Sequence, residues 1–144
     1  MAEEAPAFLS GAELDAIHRT MLTRYGGFVG VRDEDALTAT LAAPGARMNG
    51  RYVHEDLPAM AAAYLYQIAR YRPFVDGNRR TAVVAALVFL ALNDRPPGPL
   101  ADIAPLADLA RGAAAGEVDK AAVALALRGW LDEAAPAAAP TGGP

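Results

Sequence analysis

Residues 82–92 form an unbroken apolar run, Ala82-Val83-Val84-Ala85-Ala86-Leu87-Val88-Phe89-Leu90-Ala91-Leu92. A helix over this stretch is apolar on every side, and such a helix belongs at the centre of a bundle. The run is about half of the ~20 residues that a bilayer-spanning helix needs, so it reads as core and not as a membrane span. Just over half of the 144 residues are hydrophobic, and much of that is alanine, the strongest helix former. β-Branched and aromatic runs are sparse. The expected fold is all-α, a compact single-domain bundle of about six helices.

The helix signals divide the chain. Ser10-Gly11-Ala12-Glu13 has the capping-box pattern, and Leu14, Ile17, His18, Met21, Leu22 and Tyr25 follow on one face up to Gly26-Gly27. His18 on that stripe reads as a histidine packed at the core edge. Asp33 caps a short second helix to about Ala43, stopped by Pro44-Gly45. Residues 46–54 lack helical periodicity, and their core of Met48, Asn49, Gly50 and Arg51 reads as a turn or small hairpin. Asp56 caps an amphipathic third helix that Pro73 ends. The fourth helix runs from Asn78 to about Asn93. Two weaker helices follow, at about 102–115 and 119–133, with Trp130 and Leu131 packing the last one down. Residues 1–9 form an N-terminal extension, 10–132 the domain, and 133–144 an Ala/Pro/Gly tail whose composition reads as disordered.

The formal charge of −4 gives no basic field for nucleic acid, so no direct nucleic-acid binding is expected. Without cysteine there is no disulfide framework and no thiol nucleophile. The N-terminus lacks a basic region followed by an apolar core, so a cytoplasmic protein with no membrane contact is expected.

Chemistry concentrates in residues 72–81, Arg72-Pro73-Phe74-Val75-Asp76-Gly77-Asn78-Arg79-Arg80-Thr81. A glycine-containing loop feeds the N-terminus of the apolar helix, where unpaired amides and the helix dipole favour an anion. Gly77 allows close backbone approach, and Asn78 caps or orients the loop. Arg79 and Arg80 match phosphate oxygens in bidentate fashion. Asp76 is a single carboxylate of the kind that holds Mg²⁺ together with nucleotide phosphates. A bland alternative stays open: a well-capped loop with Asp76 ion-paired to Arg79 or Arg80.

The same residues resemble the Fic/Doc (death-on-curing) signature H-x-F-x-[DN]-[GA]-N-[KG]-R, with Arg72 where that family carries its catalytic histidine. Arg24-Tyr25-Gly26-Gly27 with Gly30, the helix from Thr81 through Asn93, and residues 112–117 also resemble successive death-on-curing segments, over roughly residues 10–132. The resemblance implies a small helical bundle that uses ATP and Mg²⁺ to modify a target hydroxyl. It sets Asp76 as the metal ligand, Asn78, Arg79 and Arg80 as phosphate holders and Phe74 as the buried anchor of the loop. Residues Arg47, Met48, Asn49, Gly50, Arg51 and Tyr52 take the place of the family's flap, where a target docks by strand addition.

Arg79 in place of a glycine, and Val83 where a distal arginine would be, favour the Doc branch, which phosphorylates elongation factor Tu, over AMP transfer. An antitoxin whose helical segment lies in a groove is the implied partner. Arg72 has no acceptor capacity and cannot take a proton from a hydroxyl. Three accounts are open: an introduced or selected substitution of a natural histidine, a natural pseudoenzyme, or an enzyme with another base, for which Tyr71 and His54 are the nearby candidates.

Overall fold

A computed structural model describes residues 5–134. Six helices carry the fold: α1 (Gly11–Tyr25), α2 (Glu34–Ala42), α3 (Leu57–Tyr71), α4 (Asn78–Leu92), α5 (Ala104–Ala114) and α6 (Lys120–Ala134). A 3-10 turn at Ala43–Gly45 and a hairpin of β1 (Arg47–Met48) and β2 (Arg51–Tyr52) join α2 to α3. The fold is therefore all-α with one small hairpin, as the sequence leads one to expect.

Local chemistry sets the boundaries. Ser10 and Glu13 complete a reciprocal capping box at α1. Asp33 and Asp56 cap α2 and α3 through the Ala36 and Ala59 amides. Asp119 caps α6 through the Ala122 amide. Asp102 accepts from the Ala104 amide just ahead of α5, with Pro105 in the first turn, so this helix starts two residues later than its acidic signal suggests. The hairpin turn Asn49-Gly50 has φ of 53° and 76°, the left-handed pair that a two-residue connection requires, and it sets the antiparallel register Arg47↔Tyr52 and Met48↔Arg51.

The helix at the centre is α3 and not α4. From Met60 to Leu65 every residue of α3 is no more than 2% exposed, and the helix packs against α2, α4, α5 and α6. Its alanines at 61, 62, 63 and 69 let four neighbours approach closely. The more apolar α4 buries Ala82, Ala85, Ala86, Phe89 and Leu90, but Val84, Leu87 and Val88 are only half-buried and Leu92 is exposed. Six short helices can enclose one member on all sides, and the alanine-rich one fits. Tyr64 tolerates the centre because its hydroxyl accepts from the Leu9 amide at 2.8 Å. Burial also pushes its pKa upward, which keeps the phenol neutral.

The segment set apart as an extension reaches this core through Phe8 and Leu9. Leu9 is buried, and Phe8 stacks on Phe89 with centroids 5.8 Å apart. Asn93 binds the strap by accepting from the Ala7 amide and donating to the Ala7 carbonyl. At the other terminus, Glu133 and Ala134 lie within α6, and residues 135–144 of the expected tail lie outside the described residues. Trp130 is buried, and its indole N–H donates to the Asp102 carbonyl at 2.8 Å. Among the described residues no helix is long and apolar enough to cross a membrane.

Candidate functional site: an anion-binding loop at the start of a core helix

The loop between α3 and α4 starts where proline withdraws a helix donor. Arg72 closes α3 in the left-handed region (φ 48°, ψ 64°), its amide bonded to the Ile68 carbonyl, and Pro73 cannot continue the ladder. The glycine-rich stretch after α1 then runs antiparallel along the loop. The Pro73 carbonyl accepts from the Arg32 and Asp33 amides, Val75 donates to the Gly30 carbonyl, and Val31 lies opposite Phe74. The Arg32 side chain adds bonds to the Arg72 and Tyr71 carbonyls at 2.6 and 2.5 Å.

Three side chains fix the loop from below. Phe74 is buried and stacks on His18 with centroids 3.8 Å apart and planes 12° apart. The Asn78 amide accepts from the Phe74 N–H and donates to the Phe74 carbonyl. His18 Nε2 lies 2.8 Å from the Asp76 carbonyl, an acceptor only, so this nitrogen carries the proton. His18 is indeed a packed core-edge histidine, and its polar edge orients the loop as well.

Gly77 is the N-cap of α4 in the left-handed region (φ 78°), with no side-chain cap. The first bond across the α4 start runs from the Thr81 amide to the Gly77 carbonyl. The amides of Asn78, Arg79 and Arg80 are therefore left open toward the loop. The Asp76 carboxylate accepts from the Phe28 amide at 2.7 Å. That approach needs Gly27 (φ 125°), where a Cβ would sit 3.0 Å from the Asp76 Cβ. Among the described residues no salt bridge joins Asp76 to Arg79 or Arg80, so the simple ion-pair account of this cluster does not hold.

Above the open amides lies a cavity of about 540 Å³, with Asp76, Arg79, Arg80, Tyr25, Ile103 and Arg111 in its wall. The Arg80 guanidinium sits 4.2 Å over the Tyr25 ring, which orients it without neutralising it. Arg111 is ion-paired with Asp108. Tyr25 and Arg111 were not legible as site residues, since they come from other helices. A larger cavity of about 980 Å³ lies at the opposite end, lined by Arg47, Arg95 and Arg128 but also by Glu55, Asp94 and Asp132. Its mixed charges, with Arg128 already tied to Asp56, favour no single ligand sign.

Not every expected site residue converges on the loop. The Asn78 side chain is buried against Phe74, so only its backbone amide faces an anion. Arg72 is exposed and is not among the residues lining the cavity. The hairpin base rests on the far end: Tyr52 packs on Phe8, and Phe8 on Phe89. Phe89 is roughly 16 Å along α4 from Asn78. His54 lies near the Lys120 charge of α6, and Tyr71 turns edge-on to Tyr66, so neither lines the cavity.

Asp76 stands alone as a hard ligand, since no three His, Cys, Asp or Glu side chains gather among the described residues. One carboxylate is what Mg²⁺ takes when phosphates supply most of its other ligands, and among the described residues only one Asp76 oxygen has a bond. The residues present thus fit a nucleotide with its magnesium.

A helical bundle with open amides and arginines at the start of a core helix has the groups that an anion would need. A model of the Fic/DOC family matches residues 8–90. The chain is 38% identical over 123 residues to "Protein kinase doc" of Escherichia phage P1, covering 83% of this chain and 92% of that protein. It is 36% identical over 118 residues to "Toxin Doc" of Mycolicibacterium smegmatis, covering 82% and 87%. The chain belongs to the Fic/DOC family.

Proposed function

We propose that this protein is a Doc-like toxin scaffold built to transfer the γ-phosphoryl group of ATP to a hydroxyl of a translation factor, elongation factor Tu, in the cytoplasm. The observation that carries the reading is the set of open Asn78, Arg79 and Arg80 amides beside two guanidinium groups that have no salt bridge among the described residues, and a carboxylate with one bonded oxygen. When bound, ATP supplies the phosphoryl group and Mg²⁺ offsets its charge. Arg79 and Arg80 hold phosphate oxygens, Asp76 holds the metal, and His18 and Asn78 hold the loop in place. In such a transfer the target hydroxyl would give its proton to a base and form an O–P bond as the bond from phosphorus to the ADP oxygen breaks.

The missing part is a proton acceptor. The Arg72 guanidinium offers donors and no acceptor, so the chain as it stands turns over slowly or not at all. Loss of a general base costs about 10²–10⁴-fold. This same observation favours a second reading, a natural pseudoenzyme that binds nucleotide or partner without turnover. An antitoxin helix lies in the groove between α1, α4 and α5, where Met21, Val83, Val84 and Ala107 give an apolar floor beside the loop.

The test is Arg72→His. Labelled phosphate should pass to elongation factor Tu from γ-labelled ATP and not from α-labelled ATP, and expression should become toxic. Label transfer from the α position instead would mark AMP transfer. Equal activity of the native chain and the Arg72→His form would remove the missing-base account.

A further inference from the structure

Ile103, the N-cap of α5, and Ala107, Ala110 and Arg111 of that helix line the cavity beside the loop. Their spacing puts them on one face of α5. The first three are apolar, so Arg111 is the one charged group that α5 gives to the wall. It arrives from the last turn of α5, whereas Arg79 and Arg80 stand in the first turn of α4.

Arg111 is held, but lightly. Among the described residues its one ion pair is with Asp108, three positions back on the same helix. Both side chains are exposed, and Asp108 is not among the residues of the cavity wall. An exposed pair within one helix contributes little. The pair engages Nη2 of the guanidinium, and the rest of the donor fork is not taken up by any hydrogen bond among the described residues. A phosphate oxygen in the cavity is a rival acceptor for the same fork, and arginine matches it well.

The charges of the wall point to the kind of anion. Three arginines face one carboxylate, Asp76. The open amides at the α4 start, with Arg79 and Arg80, are enough for one phosphate group. A further cation on a second helix has a partner only if the anion carries its charge along a chain, as a polyphosphate does. Asp108 meanwhile offsets that cation as long as the cavity holds no anion.

Resting on the nucleotide reading above, we infer that Arg111 is a third phosphate-holding arginine, kept in reserve by Asp108. On entry of a nucleoside triphosphate with its Mg²⁺, the guanidinium leaves Asp108 for a phosphate oxygen further along the chain from the loop. The bound nucleotide then ties α5 to the start of α4. Asp108 is a competitor built into the chain, and it sets the affinity from outside the cavity.

The experiment is calorimetry of the full chain with ATP and Mg²⁺, repeated with inorganic triphosphate and Mg²⁺. Arg111→Ala should weaken both ligands roughly tenfold, a charged hydrogen bond less the pair that is given up. Arg111→Lys should recover part of the loss, since it keeps the charge and lacks the fork. Asp108→Asn frees the guanidinium and should tighten ATP about twofold to fivefold. In the Arg111→Ala background the same change should do much less, because no latch is left to open.

Both positions are exposed, so the variants should melt close to the native chain, and thermal melting checks this. In nuclear magnetic resonance the Arg111 Nε–H signal, assigned by its loss in Arg111→Lys, should shift and gain protection from exchange when ATP binds. Native affinity in Arg111→Ala would overturn the inference. So would equal tightening by Asp108→Asn in both backgrounds, which would make Asp108 a plain like charge. A loss for ATP but not for inorganic triphosphate would assign Arg111 to the base or sugar and overturn it too. Failure of the native chain to bind either ligand would remove the nucleotide site and this inference together. Binding that depends on Arg111, with no label transferred by the Arg72→His form, would keep the inference and remove the phosphotransfer reading.

Discussion

The Asn78 side chain closes both main-chain polar groups of Phe74, accepting from its N–H at 3.0 Å and donating to its C=O at 2.8 Å. Both residues are buried. One amide thus ties the first residue of α4 to the anchor of the loop four positions earlier.

Asn78→Ala leaves those two Phe74 groups buried without partners. Each costs about 1–3 kcal/mol, so the midpoint of thermal unfolding should fall by several degrees. Asn78→Asp keeps the acceptor and loses the donor, and should fall between the alanine variant and the native chain. ATP–Mg²⁺ affinity, read by calorimetry, should drop in both variants, because the open amides move with the loop. A native melting curve for Asn78→Ala would remove this account of the loop.

His18 reaches the same loop from α1. Its ring stacks on Phe74, and its Nε2 donates to the Asp76 carbonyl. His18→Phe keeps a flat ring against Phe74 and deletes the donor. The expected loss is about 1 kcal/mol of stability, the net worth of one hydrogen bond, with a clear fall in Mg²⁺-dependent ATP affinity as Asp76 is released. His18→Gln, which restores a donor without the ring, should recover part of the affinity and less of the stability. Equal affinity in all three forms would show that the loop holds itself.

Much of this was legible in the chain, and the misses share a cause. Ser10, Asp33 and Asp56 announce their helices because a cap acts within three residues. Asn49-Gly50 announces its turn for the same reason. The 72–81 loop reads as a candidate anion site because the amides, glycine and arginines are contiguous. The His18 bond to Asp76 spans 58 positions, and Tyr25 comes under Arg80 only through folding, so neither had a local signal. Periodicity ranked α4 as the central helix by apolarity. Burial depends on neighbours, though, and the small side chains of α3 admitted more of them. The distance between hairpin and loop was equally hidden, because a helix connects its two ends without saying which end faces the site.

Arg80 carries the electrostatic part of the site. Its guanidinium rests on Tyr25, free of any carboxylate among the described residues. A hydrogen bond to a charged group is worth about 1.5–3 kcal/mol, so Arg80→Ala should weaken ATP–Mg²⁺ binding by roughly 10- to 150-fold. Arg80→Lys should recover only part of that, lacking the planar fork and the ring stacking. Raising the salt should weaken the native chain more than Arg80→Ala. Calorimetry across salt concentrations measures all three. Unaltered binding in Arg80→Ala would displace the anion site from this loop.

His54 gives the fold a pH dependence of known sign. Partial burial, and then the nearby Lys120 charge, lower its pKa from the ordinary imidazole value of about 6.5. The unfolded chain therefore binds a proton at a pH where the folded chain does not. Stability contributed by the neutral imidazole is present above about 6.5 and is lost as pH falls through that value toward the lower folded pKa. The unfolding midpoint should rise between mildly acid and neutral pH. His54→Asn, which does not titrate, should flatten that part of the profile and leave the acid limb of the carboxylates in place. Lys120→Met removes the second cause and should move the step upward toward the ordinary imidazole range. Denaturant melts at a series of pH values decide it, and an identical profile in His54→Asn would assign the dependence to other groups.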